Sequence, residues 1–381
     1  MAIPQHSTWA RCVVLVAVLV ANAQGAQAGD PLACVSEFAG KNNFSGVVSV
    51  QEQAGAGWTF AFGRQAGPES KQNSEETRFN IGSAGKMFTA VAIGQLVDAD
   101  KIRFDDRVGR FVSGLAPETD AVTIGQLLSH TSGLGDFFRP ENFQALQQAR
   151  SAADLLPLIV SEKPSFAPGS QFRYSNSAFA LLGIVVERVS GESYADYLER
   201  HIFAPAVMTS TGLDPRIDAN VAVGMTSRQI GARPSDTVAN ALPDATPLRA
   251  APGALAFGNP AGGAFSTGAD LHKFFAALLQ HRLTTAMTAD ELISPKGAGT
   301  ADPSGRDYGY GFGLRNAAGR RWLGHNGGTL GANAEAFATP GNELSLVVLA
   351  NRDPPAATLM FGFVASLLGD NTDLAACRSS G

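Results

Sequence analysis

Ser83 and Lys86 stand three residues apart where a polar loop, Ile81-Gly82-Ser83-Ala84-Gly85-Lys86, gives way to an apolar stretch of helical spacing. Side chains three apart at a helix start share a face, so the lysine nitrogen can touch the hydroxyl. The unsatisfied amides and the dipole of a helix N-terminus favour negative charge, which helps an alkoxide and, through the Ser83 N–H, an oxyanion. A serine is a poor nucleophile until a neighbouring base takes its proton, and a lysine whose pKa is lowered by burial can be that base. Of the seven lysines only Lys86 has a serine three positions before it. The plain alternative is Ser83 as a helix cap with Lys86 on the solvent face.

Two further clusters carry polar chemistry. Phe172-Arg173-Tyr174-Ser175-Asn176 follows the Pro168-Gly169 turn and precedes a helical run, a loop position from which a phenol and an amide can aim into a cleft. Gly324-His325-Asn326-Gly327-Gly328-Thr329 ends a strand-like run. Gly327 and Gly328 there let a ligand approach the backbone, so the strand edge can pair with substrate and donate N–H groups to an oxyanion. Taken singly, these clusters are equally a buried tyrosine beside an Asn176 helix cap and a glycine turn with a surface histidine. His130, His201, His272 and His281 have no partners at ligand spacing and are expected to be structural, with His130 tying down a loop.

The elements that must position these residues follow from patterning. Phe44 to Gln53 and Trp58 to Gly63 are strand-like and joined by a glycine turn, so the chain is expected to start in β-structure. Helical spacing begins at Ala84 and returns at Ile124 to Leu128, Ala153 to Val160, Ala178 to Val189, Tyr194 to Phe203 and Thr267 to Leu279. Strand patterns reappear at Tyr308 to Arg315, Arg321 to His325, Asn333 to Ala338 and Leu344 to Ala350, before a last helix, Ala356 to Leu368. Residues 231–264, rich in Pro and Gly, have the composition of a long ordered loop, the kind that walls a site. Strands at both ends with helices between predict an α/β (α+β) fold: an antiparallel sheet flanked by helices and built from both chain ends, with an inserted all-helical domain.

With 381 residues, 45% hydrophobic and 17% charged, the chain can bury a large core and is neither disordered nor a disulfide-stapled miniprotein. Its net charge is −5 with no run of Lys or Arg to neutralise a row of phosphates, which argues against a nucleic-acid partner. Arg11, the apolar stretch Cys12 to Ala23 and the small residues Ala26 and Ala28 have the order of a cleavable signal peptide over residues 1–28, too short in its apolar part to span a bilayer. Export to a periplasm or the exterior is therefore expected, with no stable membrane span after cleavage. Cleavage leaves Cys34 and Cys377, an even pair in an exported chain that suggests a disulfide, with two free thiols as the alternative. The oligomeric state is left open.

In the order Ser-x-x-Lys, Tyr-x-Asn, His-x-Gly, the three clusters resemble the serine β-lactamase and penicillin-binding-protein superfamily, most closely its class C-like branch, which also holds esterases and D-amino-acid-specific peptidases. Leu127-Leu128-Ser129-His130-Thr131-Ser132-Gly133-Leu134, Gly262-Gly263-Ala264-Phe265-Ser266-Thr267 and Val347-Val348-Leu349-Ala350-Asn351 look like segments of the same family. The resemblance implies a β-lactamase/transpeptidase-like fold over residues 29–377, with an α/β part at 29–82 and 262–377, a helical part at about 83–230 and the 231–264 loop beside the site. It implies acyl transfer through Ser83, proton work shared by Lys86 and Tyr174 with Tyr174 as base in acylation, and substrate orientation by Asn176. The oxyanion would lie between the N–H groups of Ser83 and Gly328, with Gly327 and His325 lining the substrate. No metal or cofactor is implied. The family's third motif usually begins with Lys, a fixed cation for substrate carboxylates; His325 stands there instead, and carboxylate anchoring should be weaker. The expected substrate is thus a small ester, amide or peptide, with a class C-like β-lactamase and a non-catalytic cell-wall peptide binder as alternatives.

Overall fold

In the computed structural model, which describes residues 31–53, 55–67, 69–214, 220–226, 246–247, 258–296 and 307–369, strands from both ends of the chain meet in one sheet. They are β1 (Gly46–Glu52), β2 (Gly57–Phe62), β3 (Asp307–Tyr308), β4 (Gly313–Ala317), β5 (Arg320–Thr329), β6 (Ala332–Ala338) and β7 (Leu344–Ala350), in the spatial order β2-β1-β7-β6-β5-β4-β3. Every pairing is antiparallel, and Val48 lies opposite Val348 where the N-terminal strands join the C-terminal ones. The helices that concern the site and its scaffold are α1 (Pro31–Lys41), α2 (Lys86–Asp98), α3 (Ile124–Leu128), α4 (Asn176–Ser190), α5 (Gly268–Leu279) and α6 (Ala356–Leu367).

The two-residue period of the strands divides the interior. Along β7, Val347 and Leu349 enter the larger core, whereas Leu346, Val348 and Ala350 enter the smaller one on the opposite face. The smaller core lies under α1 and α6, whose Phe38 and Phe363 rings stack at 4.2 Å between centroids. The larger core surrounds α2, which is apolar on all sides: Met87, Phe88, Val91, Ile93 and Leu96 are all buried, and the Phe88 ring meets Phe203 and Phe274 edge-on. A helix apolar all round belongs in the middle of a domain. That central position carries Lys86, the first residue of α2, out of contact with water.

Two expectations are corrected and one element is added. The described chain opens with helix α1 rather than β-structure; its buried Val35 and Ala39 lie four apart, too short a repeat to stand out beside the strand that follows. Tyr308 to Arg315 is two strands, because Gly311 turns at φ +76° to give its N–H to the Leu128 carbonyl and fit against Ala90 of α2, where a Cβ would clash. A further helix, Ala286–Ile293, packs Leu292 and Thr288 against Gly94 of α2. The expected signal segment 1–28, Cys377 and most of the expected 231–264 loop lie outside the described residues. Cys34, on α1, is buried and disulfide-bonded. Among the described residues no helix is long and apolar enough to cross a membrane.

Candidate active site

Ser83 sits in a 3-10 turn, Gly82–Gly85, that leads directly into α2. β5 runs past this turn so closely that a Cβ on Gly327 would overlap the Ile81 carbonyl oxygen, and one on Gly82 would come 2.8 Å from the Gly328 nitrogen. Glycine at both places is what lets the Gly328 amide lie beside the Ser83 amide, an arrangement suited to holding an oxyanion. On the far side the turn Asn259–Gly262 closes in, with the Gly263 N–H donating to the Gly82 carbonyl at 3.0 Å.

Behind Ser83, the buried Lys86 Nζ donates to Asn176 Oδ1 at 2.7 Å and to the Ala261 carbonyl, and lies 3.3 Å from Ser83 Oγ. Burial pushes its pKa down to about 7, against the opposing pull of the Asp136 carboxylate. A neutral amine has two hydrogens and one lone pair. The carbonyl oxygens of Asn176 and Ala261 can only accept, so they claim both hydrogens and leave the lone pair for the Ser83 hydroxyl. That arrangement suits a neutral Lys86 to accept a proton from Ser83.

Asn176 is held in the orientation this requires. It opens α4 beside the cap Ser175, whose Oγ accepts the Ala178 N–H at 3.0 Å and donates to the Gly135 carbonyl at 2.7 Å. Its Nδ2 donates to Asp136 Oδ2 at 2.8 Å, so the amide cannot flip without setting its oxygen against a carboxylate. Asp136 is also pinned by the Phe138 N–H at 2.9 Å. Sequence reasoning missed Asp136. Its one signal is its place just after the Ser129-to-Leu134 segment, and nothing in its spacing points to Asn176.

Tyr174 faces Lys86, its ring 4.7 Å from Nζ, and lines the same cavity as Ser83. Tyr174 keeps 38% of its surface exposed, so the desolvation that raises its phenol's pKa is partial. Beneath it lies His130, 4.2 Å between ring centroids, fully buried and at φ +59°. His130 Nδ1 accepts the Ser175 N–H at 3.1 Å, so this histidine does tie down a loop, the one that carries Tyr174. His272 is likewise structural, bridging Ser49 and Ser345 at 2.9 and 2.7 Å.

Ser83, Tyr174, His325, Gly327 and Gly328 all line one cavity of about 460 Å³, with Lys86 and Asn176 behind Ser83. Phe172, Tyr308, Asp307, Arg315 and Asn326 complete much of its wall and were not singled out as site residues from sequence. Cys34 is elsewhere, in the core under α1. Among the described residues no group of three or more His, Cys, Asp or Glu is placed to hold a metal ion.

Comparison with known proteins agrees with this geometry. The family model described as Beta-lactamase matches residues 33–368. A penicillin-binding protein of Bacillus subtilis (strain 168) is 28% identical over 324 residues, covering 82% of this chain and 69% of its own. The D-aminopeptidase of Cereibacter sphaeroides is 27% identical over 341 residues, covering 87% of this chain but 61% of that protein, so the chain spans less than two thirds of its length. The crystal structure of a penicillin-binding protein from Bacillus halodurans superposes with a TM-score of 0.75 at 28% identity, covering 88% of this chain and 98% of that one. The chain belongs to the Beta-lactamase family and is a serine hydrolase of that family.

Proposed function

We propose that the protein is an exported hydrolase that forms an acyl-enzyme on Ser83 and cleaves a small ester or amide, of the esterase or D-amino-acid peptidase type. The observation that carries the reading is the buried Lys86 Nζ 3.3 Å from Ser83 Oγ, with Asn176 Oδ1 and the Ala261 carbonyl as its other partners. Lys86 takes the hydroxyl proton as Ser83 Oγ attacks the carbonyl carbon, and the oxyanion forms between the Ser83 and Gly328 amides. Tyr174 passes its proton to the leaving group and takes one back from the protonated Lys86, and the same pair then activates the water that releases the acyl group. This gives the part of base to Lys86, where the family resemblance implies Tyr174, because Lys86 is fully buried and burial lowers its pKa to about 7. The D-aminopeptidase relative supports an amide as one substrate class.

The test is release of p-nitrophenol from p-nitrophenyl acetate by the mature protein beside Ser83→Ala, with penicillin G as a competing substrate. Sustained release lost in the variant is expected; equal release by Ser83→Ala overturns the reading, and penicillin turnover far above ester turnover replaces it with a β-lactamase. N-terminal sequencing of the exported protein should begin at Gly29, after cleavage at Ala28.

A further inference from the structure

Beside Ser83, two histidines and a tyrosine form a chain of hydrogen bonds whose ends are fixed by the backbone. At one end the Ser175 N–H donates to His130 Nδ1 at 3.1 Å. His130 Nε2 lies 3.2 Å from the Tyr308 hydroxyl, which lies 2.8 Å from His325 Nε2. At the other end His325 Nδ1 meets the Asn326 carbonyl. An N–H can only donate and a carbonyl can only accept, so one arrangement of hydrogens satisfies every link. His130 keeps its hydrogen on Nε2 and gives it to the Tyr308 oxygen; Tyr308 gives its own to His325 Nε2; His325 keeps its hydrogen on Nδ1 and gives it to Asn326. Both imidazoles are neutral in this arrangement.

Protonating His325 on Nε2 would aim two N–H donors at the Tyr308 oxygen and leave the Tyr308 hydrogen without its acceptor. All three side chains are buried, where a stranded donor is costly. Reversing the chain is blocked at His130, because Nδ1 is committed to the Ser175 amide. Burial also holds the His130 pKa well below its ordinary value.

We propose that Tyr308 and His130 are positioning residues that hold His325 uncharged with its proton on Nδ1, so that the cavity beside Ser83 accepts a leaving group that bears no carboxylate. The leaving-group part rests on the serine-hydrolase reading above; the histidine part does not. Among the described residues, Tyr174 lies 6.3 Å from His325 between ring centroids, with Lys86 behind it, and Asp307 of β3 lines the same cavity. Arg315 of β4, also on the wall, is paired at 3.0 Å with the buried carboxylate of Glu335 on β6. A carboxylate entering there meets a neutral imidazole and a guanidinium already paired.

Two measurements test this. In protein carrying nitrogen-15 histidine, with His325 assigned by comparison with His325→Asn, the His325 resonances of the wild type are expected to remain those of a neutral Nδ1–H ring from pH 5.5 to 8. Tyr308→Phe should restore a titration near pH ~6.5. An imidazolium at pH 7 in the wild type overturns the proposal. The second measurement compares phenyl acetate with 4-acetoxybenzoate, which share an acyl group and differ by a carboxylate on the leaving group. The wild type should favour phenyl acetate about tenfold in kcat/KM at every pH, whereas Tyr308→Phe should lose that preference below pH ~6.5 and His325→Lys should lose it throughout. A wild-type preference that shrinks on acidification overturns the proposal as well. If phenyl acetate is not cleaved, or is cleaved equally by Ser83→Ala, the hydrolase reading fails, and the nitrogen-15 resonances still decide the state of His325.

Discussion

The two walls of the cavity handle charge in opposite ways. On the helical side, Lys86, Asn176 and Asp136 form a line from the nucleophile to a carboxylate, and the lysine is poised near neutral pH because burial and Asp136 pull its pKa in opposite directions. On the sheet side, His130, Tyr308 and His325 form a line of similar length between two backbone groups, with no charge needed anywhere along it. Chemistry requires a group that can gain and lose a proton, so the first line ends in an ion. Under the proposal above, the sheet side meets a substrate without a carboxylate, and a surface of fixed protonation serves that because its line ends in the backbone.

If the walls divide the work in this way, substitutions on the helical side should cost turnover and those on the sheet side should cost selectivity. Ser83→Ala should have the largest effect, lowering kcat/KM for phenyl acetate by about 10³-fold or more in steady-state assays. Lys86→Met should follow, at about 10²-fold or more, the lower range for loss of a general base. In the wild type the same kcat/KM should rise with pH through about 7, because only deprotonated Lys86 accepts the serine proton; a rate independent of pH between 6 and 8 would remove Lys86 as the base. Asp136→Asn should cost about tenfold and move that rise to lower pH, since the carboxylate's attraction for the ammonium form is gone. A shift to higher pH would break the assignment. Tyr308→Phe should have the smallest effect on phenyl acetate, under about threefold in kcat, because the group it removes touches His325 and not the reacting atoms. Loss of turnover in Tyr308→Phe as large as in Asp136→Asn would erase the distinction between the walls.

Local patterns made much of this legible. β7 was expected at Leu344 to Ala350 and spans those residues, because a run of apolar residues ending in a turn at each side has few other solutions. Ser83 and Lys86 were readable because three residues along a helix start bring side chains together whatever the rest of the chain does. Gly327 and Gly328 were readable as places of close approach, although the partner expected there was a ligand and the structure sets the turn at Ile81 to Ser83 against Gly327. By contrast, Tyr308 to Arg315 alternates like a single strand, and the break at Gly311 exists only because α2 and the end of α3 lie beneath it.

Asp136 and Tyr308 belong to that second class. Asp136 acts on a side chain 40 residues away, and Tyr308 joins His325, 17 residues on, to His130, 178 residues before it. No repeat or helical period constrains such distances. The identity of the nucleophile, its lysine and the sheet that frames them was written in local spacing, since backbone geometry alone relates residues a few positions apart. Which proton sits on which nitrogen, and hence whether the histidine at the head of the third motif carries charge, was decided by hydrogen-bond partners that come together only when the chain has folded and water has been excluded from between them.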